Sequence, residues 1–511
     1  MNIYSAENIE YIVKRGLGKE GKSSILPEPF KSLHENLKSL KNSKKEYAKQ
    51  FKRLKMDFNS LKDDVILDAG INATQETDLS VKIDDLDAKI KETSIKIEEC
   101  ETNWNKAIEK YAKDLLKDIR TKKLNAKIDD FLLFDKTTFK TGDFPSKVVE
   151  QLIKDDIAKH YKRKPSDRNI IVEQLKRLLD NKLPKCIIRA DIKSFFESVP
   201  MDKLLKRLEN DGYVSTLTMY YLKKISQDVK AKGVDGLPRG LAFSSYLTEI
   251  YLQKADDEIR NLPNLYFYQR YVDDIVMLFS MDKKVPPKLR LNEGWKHWKC
   301  IKEIFKDEDL TLHEDGKKKC VIYSGETTKK EFDYLGYKFK INQGKLIIKL
   351  SDNRLNGYVN KIVAVINHYN ETARDNESLP DEPKEDVGRR RKRQQPLKRL
   401  FGQLSALTGN GMLKGPKSNI LTGIYYSNVH ITCIDDFKTL DNLLEDYITS
   451  HLDVPENLFK YDDACSPEDT VLKIKEMMIQ KWSFVDGFKN RRFCKNSSYF
   501  NRLKQIKNLS Q

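Results

Sequence analysis

The stretch Arg270-Tyr271-Val272-Asp273-Asp274-Ile275-Val276-Met277 sets two adjacent carboxylates between apolar, β-branched and aromatic neighbours. Runs such as Tyr266 to Tyr271 and Ile275 to Phe279 favour strands, and an Asp-Asp pair between two short strands suits the tight turn of a hairpin. Such a turn carries a doubled negative charge to one end of a sheet. Aspartate is also an ordinary turn residue, so the pair gains chemical meaning only if a third carboxylate stands at the end of another strand.

That carboxylate lies upstream, in PKCIIRADIKSFFESVP over residues 184–200. Cys186 to Ala190 reads as a short apolar strand interrupted by Arg189, Asp191 closes it, and Ser194, Phe195 and Phe196 begin a turn or helix. Phosphoryl transfer by two divalent ions needs oxygen ligands from separate strands, because two cations about 4 Å apart must be neutralised and held rigid. Between the carboxylates runs GVDGLPRGLAFSSYLTEIYLQKADDEI. Gly236, Pro238 and Gly240 mark a sharp loop there, and Ser244 through Asp257 reads as one helix with small residues at its start.

At 511 residues the chain suggests about three domains, and its 39% hydrophobic content is enough to bury real cores. A net charge of +17, from 94 basic against 77 acidic side chains, points to a polyanionic partner, with nucleic acid first in line. The seven cysteines form no Cys-x-x-Cys pair, so neither a zinc site nor a disulfide framework is indicated and a reducing cytoplasm fits. The N-terminus has no apolar signal core and no stretch approaches the ~18 apolar residues of a membrane span, so no membrane partner is expected.

Outward from the carboxylates the chain divides further. A short segment, residues 1–30, ends at the Pro27/Pro29 break. In 31–125, Leu33, Leu37, Leu40, Tyr47, Phe51, Leu54, Phe58, Leu61 and Val65 alternate in steps of four and three, with Lys44 interrupting. After AGINATQETDLS a second run passes through Ile83, Leu86, Ile90, Ile97, Cys100, Trp104, Ile108, Tyr111 and Leu115. Two such helices predict an antiparallel coiled-coil hairpin, either a scaffold for assembly or an element packed on its own body. Residues 126–183 carry dense basic charge, with a cationic loop from His160 to Arg168 and an amphipathic helix from Ile170 to Leu179. Farther on, 351–375 and 396–408 look helical, Arg389 to Arg393 form a basic linker, and the tail from Phe484 mixes Phe and Tyr with Arg and Lys, a composition suited to RNA.

The order and content of these blocks resemble the palm of a reverse transcriptase: ADIKSFF as motif A, LPRGLAFSSYL as motif B, YVDD as motif C, LTLHEDGKKKC as motif D and FDYLGYKF, around Gly336, as the primer-grip motif E. The forms Asp-Ile-Lys-Ser-Phe-Phe and Leu-Pro-x-Gly lie closer to retron, group II intron and bacterial defence-associated or abortive-infection enzymes than to retroviral ones, and with the added helical hairpin the chain most resembles the defence-associated group, types 3 or 9. The resemblance implies an α+β right-hand polymerase: fingers over 126–183, an antiparallel palm over 184–345, thumb-like helices over 346–410 and a mostly helical, RNA-binding region over 411–511.

By the same resemblance Asp191, Asp273 and Asp274, helped by the Ile192 carbonyl, hold two Mg²⁺, with Mn²⁺ able to substitute. Phe196 matches the steric gate against a 2′-hydroxyl, which predicts deoxynucleotide selection, and Tyr271 and Val272 lie beneath the primer end. Arg168, with Lys162 and Arg163, falls where the fingers meet the triphosphate and template, and Gly240 follows Arg239 in the nucleotide-contacting loop. Two departures stand out: Arg239 occupies a position commonly held by Gln, and the altered motif D leaves Lys317 or a neighbour to protonate pyrophosphate, with His313 read as a turn residue. The expected activity is RNA-directed DNA synthesis from dNTPs on an associated non-coding RNA, giving cDNA in anti-phage defence by a homo-oligomer, trimer or hexamer. A retron- or intron-derived enzyme and a catalytically idle RNA-binding assembly protein are the alternatives.

Overall fold

The computed structural model describes residues 2–19, 27, 30–63, 72–133, 135–162, 166–313, 321–324, 330–342, 344–377, 395–414, 419–454, 466–494 and 499–510. Val65, Arg163, Lys317 and the run Arg389 to Arg393 lie outside them. The chain forms two compact units, one from Met1–Lys164 with Phe196–Tyr251 and the other from Pro165–Phe195 with Leu252–Gln511.

In the first unit the heptad pattern becomes two long helices, Phe30–Asp63 and Asn72–Arg120. Neither contains Gly or Pro, and pairs with the acid one turn before the base, such as Asp85–Lys89, Glu92–Lys96 and Glu109–Lys113, support the second. The helices run antiparallel: the Phe30 ring meets Trp104 and Tyr111 at 5.4 and 5.3 Å, and Lys41 reaches Glu101 at 2.8 Å. Leu33, Leu37, Leu40, Tyr47, Phe51, Leu54 and Phe58 are each half-buried, and buried Thr93 fills the step between Ile90 and Ile97. Two helices alone cover such a seam only in part, whereas Ile108, Ala112, Leu115 and Ile119, nearer the body of the unit, are fully buried.

A hairpin of β1 (Ile128–Leu133) and β2 (Lys136–Thr141) follows, then a helix Phe144–Tyr161 whose first turn is capped by Asp143 accepting from Ser146 N at 2.9 Å. That helix carries the buried carboxylate of Asp156, which accepts from Ser215 N at 2.9 Å and Thr218 Oγ1 at 2.6 Å. Tyr4 reaches the same Thr218 hydroxyl at 2.8 Å, tying the chain's first turn to the unit's core.

The second unit holds the main sheet, β3 (Lys185–Asp191), β4 (Leu265–Tyr271), β5 (Asp274–Ser280) and β6 (Val321–Ser324), antiparallel in the order β4-β5-β3-β6. Its inner strands bury both faces, which is why Ile187, Ile188 and Ile275 to Phe279 read as continuous apolar runs rather than as alternation. Helix Pro287–Asp307 contributes fully buried Trp298, Ile301 and Phe305. A second sheet, β7 (Lys330–Tyr334), β8 (Tyr337–Asn342) and β9 (Lys345–Leu350), precedes helices Asp352–Glu377 and Gln395–Thr408, a hairpin of β10 (Asn410–Lys414) and β11 (Asn419–Gly423), and helices from Asp435 to Leu509. One apolar core joins this second sheet, those helices and the inner face of the first sheet.

One expectation is corrected. Ser244 to Asp257 is not a single helix but two, Ser244–Tyr251 and Gln253–Arg260, because the fully buried Leu252 between them stands at ψ −1 instead of the ~−42° of a continuing helix. Among the described residues no helix is long and apolar enough to cross a membrane.

Candidate active site

Antiparallel pairing decides where the carboxylates go. In the β3–β5 register Asp191 is the Cα partner of Asp274, and in the β4–β5 register Tyr271 closes on Asp274, which leaves Val272 and Asp273 as a two-residue turn. Val272 takes φ +60, a left-handed conformation that β-branched residues rarely adopt and that costs about 1–3 kcal/mol. Buried Arg270 holds the turn by donating from Nη1 to the Val272 carbonyl at 3.1 Å. The same guanidinium grips Asp256 with Nε and Nη2 at 3.1 and 2.8 Å, and Tyr268 donates its hydroxyl to Asp256 at 2.5 Å. This pair is desolvated: Arg270 is 4% and Asp256 3% exposed.

Asp191 is fixed from the other side. Ile192 N donates to the Asp273 carbonyl at 3.4 Å, Ile192 bridges to Leu312, and His313 N donates to the Asp191 carbonyl at 3.0 Å. This backbone pairing sets His313 Nε2 3.3 Å from Asp191 Oδ2. Two residues before Asp191 on the same strand, Arg189 Nη2 stands 3.4 Å from Asp274 Oδ1 of β5, and the Tyr334 hydroxyl donates to the Asp274 carbonyl at 3.2 Å. Burial pushes the Asp274 carboxyl above its ordinary range. Arg189 opposes that rise, while the like charges of Asp191 and Asp273 add to it.

The donor set has the chemistry of a hard divalent cation: three carboxylates at one end of a sheet, two of them cross-strand partners, with charge that a bound cation would relieve. Among the described residues no three Asp, Glu, His or Cys side chains are already gathered tightly enough to enclose an ion. Asp191 and Asp274 are therefore the pair that the fold itself brings opposite one another.

The remaining expected site residues fall in two groups. In the second unit, Arg168 donates Nε and Nη2 to the Leu335 carbonyl at 2.9 and 2.5 Å and lies 4.9 Å from the centre of the Tyr337 ring. Arg354 covers that ring at 5.4 Å and donates to the Ser427 carbonyl at 2.6 Å. Between them Leu335 and Gly336, at φ +48 and +75, make the two-residue turn of the β7–β8 hairpin. Arg168 is thus committed to shaping the motif E turn.

In the first unit the Arg239 guanidinium sits 4.8 Å from the Phe196 ring centre and pairs with Glu197 at 3.1 Å. Leu237 N donates to the Phe196 carbonyl at 2.7 Å, so the glycine-rich loop is sewn to the turn after motif A. Gly240, at φ +100, lets Arg239 O accept from Phe139 N of β2 at 2.7 Å, and a Cβ there would strike the Phe139 carbonyl. Lys162, at φ +53, ends the helix Phe144–Tyr161. Arg189, His313, Tyr334 and the Arg270–Asp256 pair were not among the expected site residues. Arg189 alone carried a signal, as a charge inside an apolar strand.

Residues 142–339 match the family described as reverse transcriptase (RNA-dependent DNA polymerase). They are a reverse transcriptase domain. The domain takes in β3 to β7 and with them all three carboxylates. No curated protein matches the sequence. Among solved structures the chain is similar to telomerase from Candida albicans in complex with a TWJ fragment of telomeric RNA, at 12% identity over 75% of this chain and 61% of that one, TM-score 0.32. Truncated apo telomerase from Candida tropicalis gives 12% identity over 44% and 55%, TM-score 0.31, and an RdRp complex gives 9% over 78% and 43%, TM-score 0.29. TM-scores this low do not establish a shared fold for the whole chain, which spans only 55% and 61% of the two telomerase chains.

Proposed function

We propose that the protein is an RNA-directed DNA polymerase whose catalytic carboxylates are Asp191, Asp273 and Asp274. The observation that carries this reading is the register that sets Asp191 opposite Asp274 beside a strained, pinned turn, inside a reverse transcriptase domain. Asp191 and Asp273, with Asp274 and the Ile192 carbonyl, would hold two magnesium ions. Bound there, such ions favour the primer 3′-hydroxylate and offset charge on the attacked phosphate and the departing pyrophosphate. The protein's own part is positioning. The Arg270 bond to Val272 keeps Asp273 at the turn, and the Arg189 charge opposes the rise that burial gives the Asp274 carboxyl. Arg168 and Arg354 brace the motif E turn for a primer strand, and the Phe196 ring, backed by Arg239, serves as the gate against a 2′-hydroxyl.

The template we assign is an associated structured RNA and the setting is bacterial anti-phage defence, by a homo-oligomer assembled through the helical hairpin. Support for these finer points is the form of motifs A and B and the half-covered seam from Leu33 to Phe58. Primer extension tests the chemistry. Purified protein with primed RNA, Mg²⁺ and labelled dNTPs should incorporate label, and Asp273→Asn with Asp274→Asn should lower incorporation at least ~10³-fold. Undiminished incorporation by that double variant would overturn the assignment.

A further inference from the structure

A cavity of about 610 Å³ opens in the second unit between helix Gln395–Thr408, the end of helix Pro467–Lys481 and the segment at Arg492, in the size range of ligand pockets. Four of its nine lining residues are cations, Lys398, Lys481, Arg492 and Arg502, and none is acidic. Three more are aromatic. Trp482 is buried and forms a fixed wall, packed 4.9 Å from Phe401. Phe493 is 45% exposed, yet its backbone bridges to Asn410 and its ring is braced edge-on by Tyr426 at 5.9 Å. A rigid aromatic face is thereby held at the pocket with solvent beside it.

The charges are placed as deliberately. Arg492 donates Nε to Asp486 at 2.9 Å and Nη2 to Thr408 Oγ1 at 2.7 Å, which fixes its guanidinium. Arg502 lies directly on Gly402, where a Cβ would strike its guanidinium. Glycine in a helix interior costs up to ~1 kcal/mol against alanine, so its presence there is explained by the seat it gives Arg502.

We infer that this pocket binds a segment of single-stranded nucleic acid, one base stacking on Phe493 and the flanking phosphates meeting Lys398, Lys481 and the two arginines. The exposed ring selects a ligand with a flat π-face, which a strand with splayed bases offers and a duplex, with its bases stacked inside, does not. Several cations around one small cavity favour consecutive phosphates over a lone one. An acidic polypeptide would satisfy the cations and leave the ring unused. None of the lining residues belongs to the polymerase motifs, and the inference goes beyond that reading without requiring catalysis.

Photocross-linking to the full-length protein tests it, in EDTA so that no polymerisation occurs. The probe is an oligoribonucleotide of about twelve nucleotides carrying 5-iodouridine, and the readout is adduct on the Phe493 peptide. Adduct should form there, fall at least ~10-fold in Phe493→Ala and in Lys398→Glu with Lys481→Glu, and resist an equal nucleotide concentration of blunt duplex. Gly402→Ala, a change that favours the helix and unseats Arg502, should also weaken it while thermal melting is maintained. Asp273→Asn with Asp274→Asn should leave the adduct unchanged, so loss of polymerase activity and loss of this site read out separately. No adduct at Phe493, or adduct displaced equally well by duplex, by polyglutamate or by free UTP, would overturn the proposal in favour of no site, a phosphate track, an acidic partner or a mononucleotide site respectively.

Discussion

Asp256→Ala should be among the most destabilising single changes in the second unit, although Asp256 touches no substrate in any reading of the site. It would leave the Arg270 guanidinium, 4% exposed, without its carboxylate, and uncompensated buried charge costs about 3–5 kcal/mol. Replacing both partners with apolar groups of similar size, as in Asp256→Leu with Arg270→Met, removes the charge along with the pairing and should recover most of that loss, leaving about 1–3 kcal/mol for the buried Tyr268 hydroxyl that no longer has its acceptor. Polymerase activity should not return with it. The Val272 carbonyl would still lack its Arg270 donor, and a residue at φ +60 would be free to shed its strain by moving Asp273. A displacement of ~1 Å at a reacting centre costs on the order of 10²-fold in rate. Urea unfolding and single-turnover primer extension on the same preparations separate the two effects. A double variant that is stable and extends primers at the wild-type rate would refute a positioning role for Arg270, and a loss of less than ~1 kcal/mol in Asp256→Ala would refute the electrostatic reasoning.

Two further outcomes follow from the geometry. Gly240→Ala places a Cβ against the Phe139 carbonyl at φ +100, so it should cost about 2–3 kcal/mol and free the motif B loop from β2; thermal melts together with amide exchange at Phe139 check this. Burial brings the Lys185 ammonium down to about 8 from its ordinary 10.5. The unfolded chain therefore holds more protons than the native one between those values, and wild-type stability should rise relative to Lys185→Met as pH climbs from about 8 toward 10.5, with a constant difference below 8. Urea midpoints of the two proteins at pH 7 and pH 10 measure it, and parallel values would remove the linkage.

Much of this was legible in the sequence because it is periodic or local. Steps of four and three drew the two long helices, unbroken apolar runs drew β3 and β5, and an Asp-Asp pair between two strands drew the hairpin that closes at Tyr271 and Asp274. The groups that hold the site were not legible, because each works across the sheet. Arg189 looked like an interruption in a strand until pairing set it beside Asp274, and His313 looked like a turn residue until the bridge from Ile192 to Leu312 brought it to Asp191. Arg168 was placed at the triphosphate by family resemblance, and no local signal announced that its guanidinium donates to the Leu335 carbonyl, 167 residues along the chain. Leu252 broke a helix that local propensity would have continued.

These misses share a cause. Residues that do chemistry must present a particular group at a particular strand end, and that requirement leaves a short, local mark. Residues that position them need only a charge of the right sign and length arriving from elsewhere in the fold, so their neighbours in sequence carry no trace of the task. Arg270 shows the division within a single side chain: it sits in the most recognisable stretch of the chain, yet its function lies in reaching Asp256 on a separate helix and the Val272 carbonyl at once. A hydrogen bond from a buried, paired guanidinium to a strained turn holds that turn only while the pair is intact. On the proposed reading, stability and catalysis would consequently depend on the same two residues through different atoms, and substitutions that restore the first need not restore the second.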